Sequence, residues 1–134
     1  MSMKIEDHLR NINESFEVIK ESIQRGISER QRSIGFHASA ASIEMLEVFL
    51  HKENLINPGS MIKHDWFTSM RRVNERLNFD FPNKNEIVNI ILSIESKRNL
   101  LCYGKKQPES IISEVLNSFN KIKSLFESLG VKWN

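Results

Sequence analysis

Five stretches of this chain repeat apolar residues at alternating steps of three and four, which is the period of one face of an α-helix. The clearest stretch is the last, where six apolar side chains follow this spacing: Ile112, Val115, Phe119, Ile122, Phe126 and Leu129. No stretch alternates apolar and polar residues with a period of two, so the sequence predicts no strands. The expected fold class is all-α, an antiparallel (up-and-down) bundle of about five helices.

Capping residues place the first two helices. The first helix carries apolar residues from Ile5 onward and is expected to end at Gly26. Ser28 and Gln31 match the S-x-x-Q capping box, which predicts the start of a second helix that runs to about Glu53. The middle of this second helix is rich in alanine and serine, so we expect a neighbouring helix to approach it closely.

Three more helices follow an Asn-Pro-Gly turn signal. The third is expected to carry one apolar stripe made of Ile62, Trp66, Met70, Val73 and Leu77. Asn83 and Glu86 predict the start of the fourth helix, and Gly104 is placed to act as its C-terminal cap. Pro108 fits the first turn of the fifth helix, and Gly130 is expected to end that helix.

Length and composition indicate one ordinary globular domain over residues 1–134, with 40% hydrophobic and 27% charged residues. The net charge of +2 is too small to favour nucleic acid or a membrane surface as a partner. No apolar run approaches the length of a membrane-spanning helix, and the first ten residues lack the apolar core of a signal peptide. The single cysteine excludes an internal disulfide and fits a reducing compartment, so we expect a cytoplasmic protein.

Arg98 interrupts the apolar stripe of the fourth helix. The apolar residues of that stripe are spaced four, three and seven positions apart: Ile87, Ile91, Ile94 and Leu101. Helical spacing would place a further apolar residue at position 98, where the chain has an arginine. A guanidinium is always charged and is rarely buried without a partner. We therefore expect Arg98 to be held by an acid or to bind an anion at an interface.

Other kinds of site are weakly supported by the sequence. The four histidines are scattered and include no H-x-x-x-H pair, so no metal ion and no cofactor are predicted. The five glycines are spread over the chain, which excludes a glycine-rich phosphate loop. Cys102 has no histidine near it in sequence and is expected to be a small buried residue at a helix end.

Two groups of cations are candidates for phosphate contacts. The first group surrounds the third helix, where a solvated helix face explains it equally simply: Lys63, Arg71, Arg72 and Arg76. The second group lies around the end of the fourth helix: Lys97, Arg98, Lys105 and Lys106. The negative C-terminal end of a helix dipole favours cations and accounts for Lys105 and Lys106. It does not account for Arg98 on the apolar stripe.

Residues 98–104, Arg-Asn-Leu-Leu-Cys-Tyr-Gly, resemble the motif of the HEPN family, in which an Arg, often followed by Asn, precedes a His near the end of a late helix. The second helix, leading into residues 43–46, is also similar to the family, and the resemblance covers roughly residues 5–129. It implies a helical bundle that forms a homodimer, with both motifs facing a shared cleft. Active members are metal-independent ribonucleases, and many are toxins encoded beside a minimal nucleotidyltransferase that acts as antitoxin. Other members have lost catalysis and bind nucleotides, RNA or protein partners.

The histidine of the family motif falls on Tyr103 in this chain. A phenol is almost wholly protonated at pH 7, so Tyr103 is better suited to donating a hydrogen bond or stacking on a base than to moving protons. The resemblance thus implies a degenerate catalytic motif of Arg98, Asn99 and Tyr103. The expected ligand-binding residues are Lys97, Arg98, Lys105 and Lys106.

Three functions stay open at this point. The interpretation we favour is a HEPN-like protein that binds RNA or a nucleotide, or partners a nucleotidyltransferase, with an inefficient ribonuclease site. The second is an active ribonuclease in which Tyr103, or a histidine from elsewhere such as His64 or His37, replaces the missing one. For both histidines, however, we expect an ordinary surface or core position. The third is a non-catalytic adaptor bundle in which Arg98 pairs with an acid across the dimer, such as Glu95.

Overall fold

The computed structural model describes residues 4–134 and contains five α-helices in that range, with no strand. The helices are α1 (Ile5–Arg25), α2 (Gln31–Lys52), α3 (Met70–Arg76), α4 (Lys84–Tyr103) and α5 (Glu109–Ser128), and a short 3-10 helix covers His64–Trp66. The predicted all-α bundle of about five helices is confirmed. None of the helices in residues 4–134 combines the length and the apolar character needed to cross a membrane.

The second helix, α2, lies at the centre of the bundle and packs against α1, α4 and α5. The alanines and serines in its middle are buried: Ala38, Ser39, Ala41 and Ser42. At Gly35 an added Cβ would lie only 2.6 Å from the Cβ of Leu101 on α4. The predicted close approach of a neighbouring helix to α2 is thus confirmed, and Gly35 is one of the residues that allow it.

Ser28 and Gln31 do not form the predicted capping box, although α2 does begin at Gln31. The Ser28 hydroxyl instead donates to Oε1 of Glu109 at 3.1 Å. The Gln31 side chain donates to the carbonyl oxygen of Lys105 at 3.0 Å and accepts from the backbone N–H of Gln107 at 2.8 Å. Gln31 therefore fixes the connection between α4 and α5 against α2 rather than capping its own helix.

The prediction of the third helix as one continuous element is wrong, because the chain forms a 3-10 turn at residues 64–66 and α3 begins only at Met70. Ser69 between them is extended, with φ −160° and ψ 160°, and its hydroxyl accepts the backbone N–H of Arg72 at 3.1 Å. A serine with this geometry caps the start of a new helix. The buried apolar residues of the segment remain on the core side: Ile62, Phe67, Val73 and Leu77.

The remaining helix ends agree with the sequence in position but differ in detail. Asn83 precedes α4 in the left-handed region, with φ 59° and no side-chain cap. Gly104 follows α4 with φ −101°, so it is not a left-handed cap; a Cβ there would lie 2.9 Å from the carbonyl oxygen of Leu100. Pro108 lies just before α5 instead of inside its first turn, and Gly130 follows its end as predicted.

A buried group of charged side chains joins α1 to α2. His8 Nδ1 lies 3.1 Å from Glu44 Oε2, and His8 Nε2 forms an ion pair with Glu47 Oε2 at 2.9 Å. The hydrogen bond to Glu44, followed by the contact with Glu47, raises the pKa of His8 to about 9 despite burial. Glu47 Oε1 also accepts the backbone N–H of Ile62 at 2.7 Å. The group therefore anchors the chain two residues before His64.

This arrangement predicts that stability declines in alkaline solution. The pKa of His8 is higher in the folded state, so its stabilisation is fully present below the unfolded value of about 6.5 and is lost as the pH rises through about 9. We expect a loss of about 3 kcal/mol in the free energy of unfolding between pH 6 and pH 10. Urea unfolding at both pH values measures it. His8→Gln should remove most of this pH dependence, and an equal dependence in that variant would contradict the assignment.

Candidate functional site

Three polar side chains, Glu95, Arg98 and Asn99, share one face of α4 because they are three and four residues apart. They form one wall of a cleft of about 310 Å³, and the 3-10 turn forms the other. We call it the His64 cleft; its lining residues are His64, Asp65, Phe67, Thr68, Glu95, Arg98 and Asn99. Two of the predicted motif residues, Arg98 and Asn99, thus meet a histidine there.

His64 is oriented by two side chains behind it. Its Nδ1 lies 2.6 Å from Glu95 Oε1 and 3.2 Å from Ser39 Oγ, and the Ser39 hydroxyl donates to the same Glu95 oxygen at 2.7 Å. The Glu95 side chain is only 8% exposed, whereas that of His64 is 41% exposed. A carboxylate beside Nδ1 favours the proton on that nitrogen, as assigned from the hydrogen bonds. Nε2 is then the nitrogen that can exchange a proton with a bound molecule.

The backbone on both sides of His64 is held by the core. Ile62 and Phe67 are buried, and Ile62 is also bonded to Glu47 through its N–H. The 3-10 turn closes with a hydrogen bond from the Phe67 N–H to the His64 carbonyl oxygen at 3.0 Å. The imidazole is therefore carried by a short turn fixed at both ends, which keeps it in position relative to α4.

Arg98 carries a charge that no carboxylate in residues 4–134 compensates by an ion pair. Its Nε is buried and has no hydrogen-bond acceptor within that part of the chain. Its Cζ lies 5.9 Å from the centre of the Phe36 ring, so the guanidinium is held over an aromatic face while it lines the cleft. A buried charged donor without an acceptor is destabilising. This environment is suited to an anion that arrives from outside the chain.

The cleft does not attract anions through net charge alone. Asp65 and Glu95 are carboxylates in its lining, and Arg98 is the only arginine or lysine among the same residues. Glu95 is occupied by His64 and Ser39, which leaves the N–H donors of Arg98 as the cationic group of the lining that is available to an anion. Residues 4–134 contain no group of three His, Cys, Asp or Glu side chains arranged to hold a metal ion.

Tyr103, at the position of the motif histidine, does not line the His64 cleft. Its side chain is 71% exposed and lines a neighbouring cleft of about 320 Å³. We call it the Phe36 cleft; its lining residues are Arg32, Ser33, Phe36, His37, Cys102 and Tyr103. The structure therefore separates Tyr103 from the polar contacts of His64 and Glu95.

The three lysines predicted as ligand contacts also lie outside the His64 cleft. Lys97 Nζ is 3.7 Å from Glu114 Oε2 on α5 and donates to Ser93 Oγ at 3.2 Å. Lys105 and Lys106 are exposed in the connection after α4. Lys106 lines a third cleft together with Tyr103.

Two histidines that the sequence left as alternatives have different surroundings. His64 has a partly exposed side chain and lines the His64 cleft beside Arg98. His37 lies in the Phe36 cleft, its Nδ1 is 2.9 Å from Ser15 Oγ, and burial lowers its pKa. Cys102 is buried as expected, and burial raises the pKa of its thiol.

Sequence reasoning missed Ser39 and considered Glu95 only as a partner of Arg98 across a dimer. The spacing of Glu95 from Arg98 and Asn99 was a usable signal, because residues three and four apart share a helix face. Ser39 carried no such signal, since it lies in a segment explained by helix packing.

No protein-family model, no curated protein and no solved structure matches this chain. The function is therefore argued from the contacts of the His64 cleft and from the chemistry that those contacts support.

Proposed function

We propose that this chain is a HEPN-like ribonuclease in which His64 takes the role of the missing motif histidine. The observation that carries the proposal is the hydrogen-bonded group of His64, Glu95 and Ser39 beside Arg98, whose charge has no ion-pair partner in residues 4–134. The resemblance of residues 98–104 to the family motif supplies the class of reaction. The cleft supplies residues that can perform it.

The reaction is transesterification of RNA without water as a reactant. His64 Nε2 accepts the proton of a ribose 2′-hydroxyl, and the 2′-oxygen forms a bond to the adjacent phosphorus while the bond to the 5′-oxygen breaks. The 5′-oxygen leaves on the opposite side of the phosphorus and takes a proton from solvent, while the imidazolium gives its proton back to solvent. The products are a 2′,3′-cyclic phosphate and a 5′-hydroxyl, with no net gain or loss of protons. Glu95 stabilises the imidazolium that exists between the two transfers.

Arg98 stabilises the negative charge that grows on the non-bridging phosphate oxygens. A guanidinium presents several N–H donors in one plane, which suits two phosphate oxygens at once. Its donors are fixed over Phe36 before the substrate arrives, so little reorganisation is needed. Asn99, exposed at the rim of the cleft, is placed to orient the ribose or the phosphate.

The resemblance extends the proposal to assembly and partners. It implies a homodimer and, for a toxin, a minimal nucleotidyltransferase as antitoxin, while the single cysteine supports a cytoplasmic location. Light scattering of the purified chain tests the first, and a monomer would contradict it. Co-expression with a nucleotidyltransferase from a neighbouring gene tests the second, and failure to co-purify would contradict it.

Incubation of the purified protein with a labelled RNA oligonucleotide in EDTA tests the proposed reaction. Because His64 moves the proton, we expect cleavage to continue in the chelator and to leave 2′,3′-cyclic phosphate ends. A single 2′-deoxynucleotide should block cleavage at its own position, because it lacks the attacking hydroxyl. RNA that is bound but stays intact between pH 6 and pH 8 would contradict the proposal.

That last result would favour a second candidate function, the binding of RNA or a nucleotide without cleavage. The exposed position of Tyr103 outside the His64 cleft supports this candidate. Tyr103, which replaces the motif histidine, then contacts the bound ligand and takes no part in proton transfer.

A further inference from the structure

Three clefts follow one another along α4: the His64 cleft lies between α4 and the 3-10 turn, and the other two lie between the end of α4 and the N-terminal part of α2. The His64 cleft is joined to the Phe36 cleft by Arg98, which lines the first and lies over Phe36 in the second. The Phe36 cleft shares Arg32 and Tyr103 with the third cleft, which Lys106 also lines. The three clefts are thus linked through Arg98, Phe36, Arg32 and Tyr103, and we call this row of clefts the α4 groove.

Two aromatic rings face solvent in the middle of this groove. The Phe36 residue is 48% exposed, and Tyr103 is still more exposed. They come from different helices and line the same cleft. Two exposed aromatic side chains in one cleft offer flat ring faces to a ligand. Stacking on flat, apolar rings is the usual way in which proteins bind unpaired nucleobases.

The charges around these rings favour a nucleotide over an apolar protein segment. Arg98 lies on the Phe36 ring at one end, and Arg32 and Lys106 lie at the other end beside a single carboxylate, Glu29. A chain of nucleotides presents alternating bases and phosphates, which matches aromatic rings flanked by cations. The near-neutral His64 cleft also needs contacts outside it to hold an anionic polymer.

We infer that the Phe36 cleft is a base-binding subsite, in which an unpaired base stacks on Phe36 and Tyr103 while the adjoining phosphate contacts Arg98. The inference rests on the proposed function, because it takes Arg98 as the phosphate contact. It specifies single-stranded RNA as the substrate class. In a duplex the faces of the bases are covered by neighbouring pairs and cannot enter the cleft.

Fluorescence anisotropy of a labelled 12-nucleotide RNA, alone or as a duplex, tests the subsite. The measurements are made in the His64→Ala background, so that the RNA stays intact. Phe36→Ala and Tyr103→Ala should each weaken binding of the single strand roughly 10- to 100-fold and leave duplex binding within about twofold. An oligonucleotide without bases should bind the parent protein as weakly as the intact strand binds the two variants. Ile23→Ala, an exposed apolar residue on α1, is the matched control.

The outcomes separate this inference from the proposed function. Unchanged single-strand affinity in both aromatic variants would overturn the subsite, while cleavage in EDTA by the native protein would still support the ribonuclease. Loss of a dimer in either variant, seen by light scattering with RNA affinity unchanged, would assign the rings to a protein interface and also overturn the subsite. Selective loss of single-strand binding with no cleavage by the native protein would support the subsite and contradict the reaction.

Discussion

Replacing His64 with alanine will lower the rate of RNA cleavage by about 100- to 10,000-fold, the usual contribution of a general acid–base group. The imidazole is the only histidine side chain in the lining of the His64 cleft, and its Nε2 is not used by the contacts with Glu95 and Ser39. RNA affinity should change little, because the phosphate contact is assigned to Arg98. Single-turnover rates at saturating protein measure the first effect. Anisotropy with a non-cleavable 2′-O-methyl RNA measures the second.

A second histidine variant provides the matched control for this result. His51 is on α2, near its C-terminal end, and lines none of the three clefts that follow one another along α4. His51→Gln should therefore cleave within about threefold of the native rate. A folded His64→Ala protein that cleaves at the native rate would show that proton transfer depends on another group.

Replacing Arg98 with alanine will lower kcat/KM for RNA by about 100- to 1,000-fold, the range found when one charge-stabilising donor is removed from an active site. Arg98→Lys should recover only part of the loss, because an ammonium keeps the charge but lacks the planar donors and the stacking face. Arg71→Ala, an exposed arginine on α3, is the control and should remain within about threefold.

Stability distinguishes a ligand-binding Arg98 from a structural one. Because Arg98 has no ion-pair partner in residues 4–134 and its Nε lacks an acceptor, its removal should not lower the free energy of unfolding by more than about 1 kcal/mol. Urea unfolding of the native protein and Arg98→Ala measures this. A large loss of stability with unchanged kcat/KM would assign Arg98 to the fold and contradict the proposed function.

The bundle was predictable because helix formation and burial depend on local spacing. The stripe of α5 and the small residues of α2 specify which faces are buried without knowledge of distant contacts. The break between the 3-10 turn and α3 was missed because local spacing was the only signal used to place the helices. The apolar residues on both sides of Ser69 keep helical spacing, and only the extended backbone at Ser69 shows that two elements are present.

The candidate site was predictable only in part. Arg98 and Asn99 were found because a charged residue occupies an apolar position, and that feature is visible within one helix. His64 was named only as an alternative, because its contact with Glu95 joins residues 31 positions apart through tertiary packing. The turn that carries His64 is fixed by Ile62 and Glu47, whose contact also spans separate segments of the chain.

A double-mutant cycle tests most directly the central claim that His64 and Arg98 act on one phosphate. The rate of RNA cleavage in EDTA is measured for the native protein, His64→Ala, Arg98→Ala and the double variant. We predict that the double variant loses far less than the product of the two single losses, because both residues serve one transition state. Losses that multiply would mean that the two residues act independently, and the account of a single site would be contradicted.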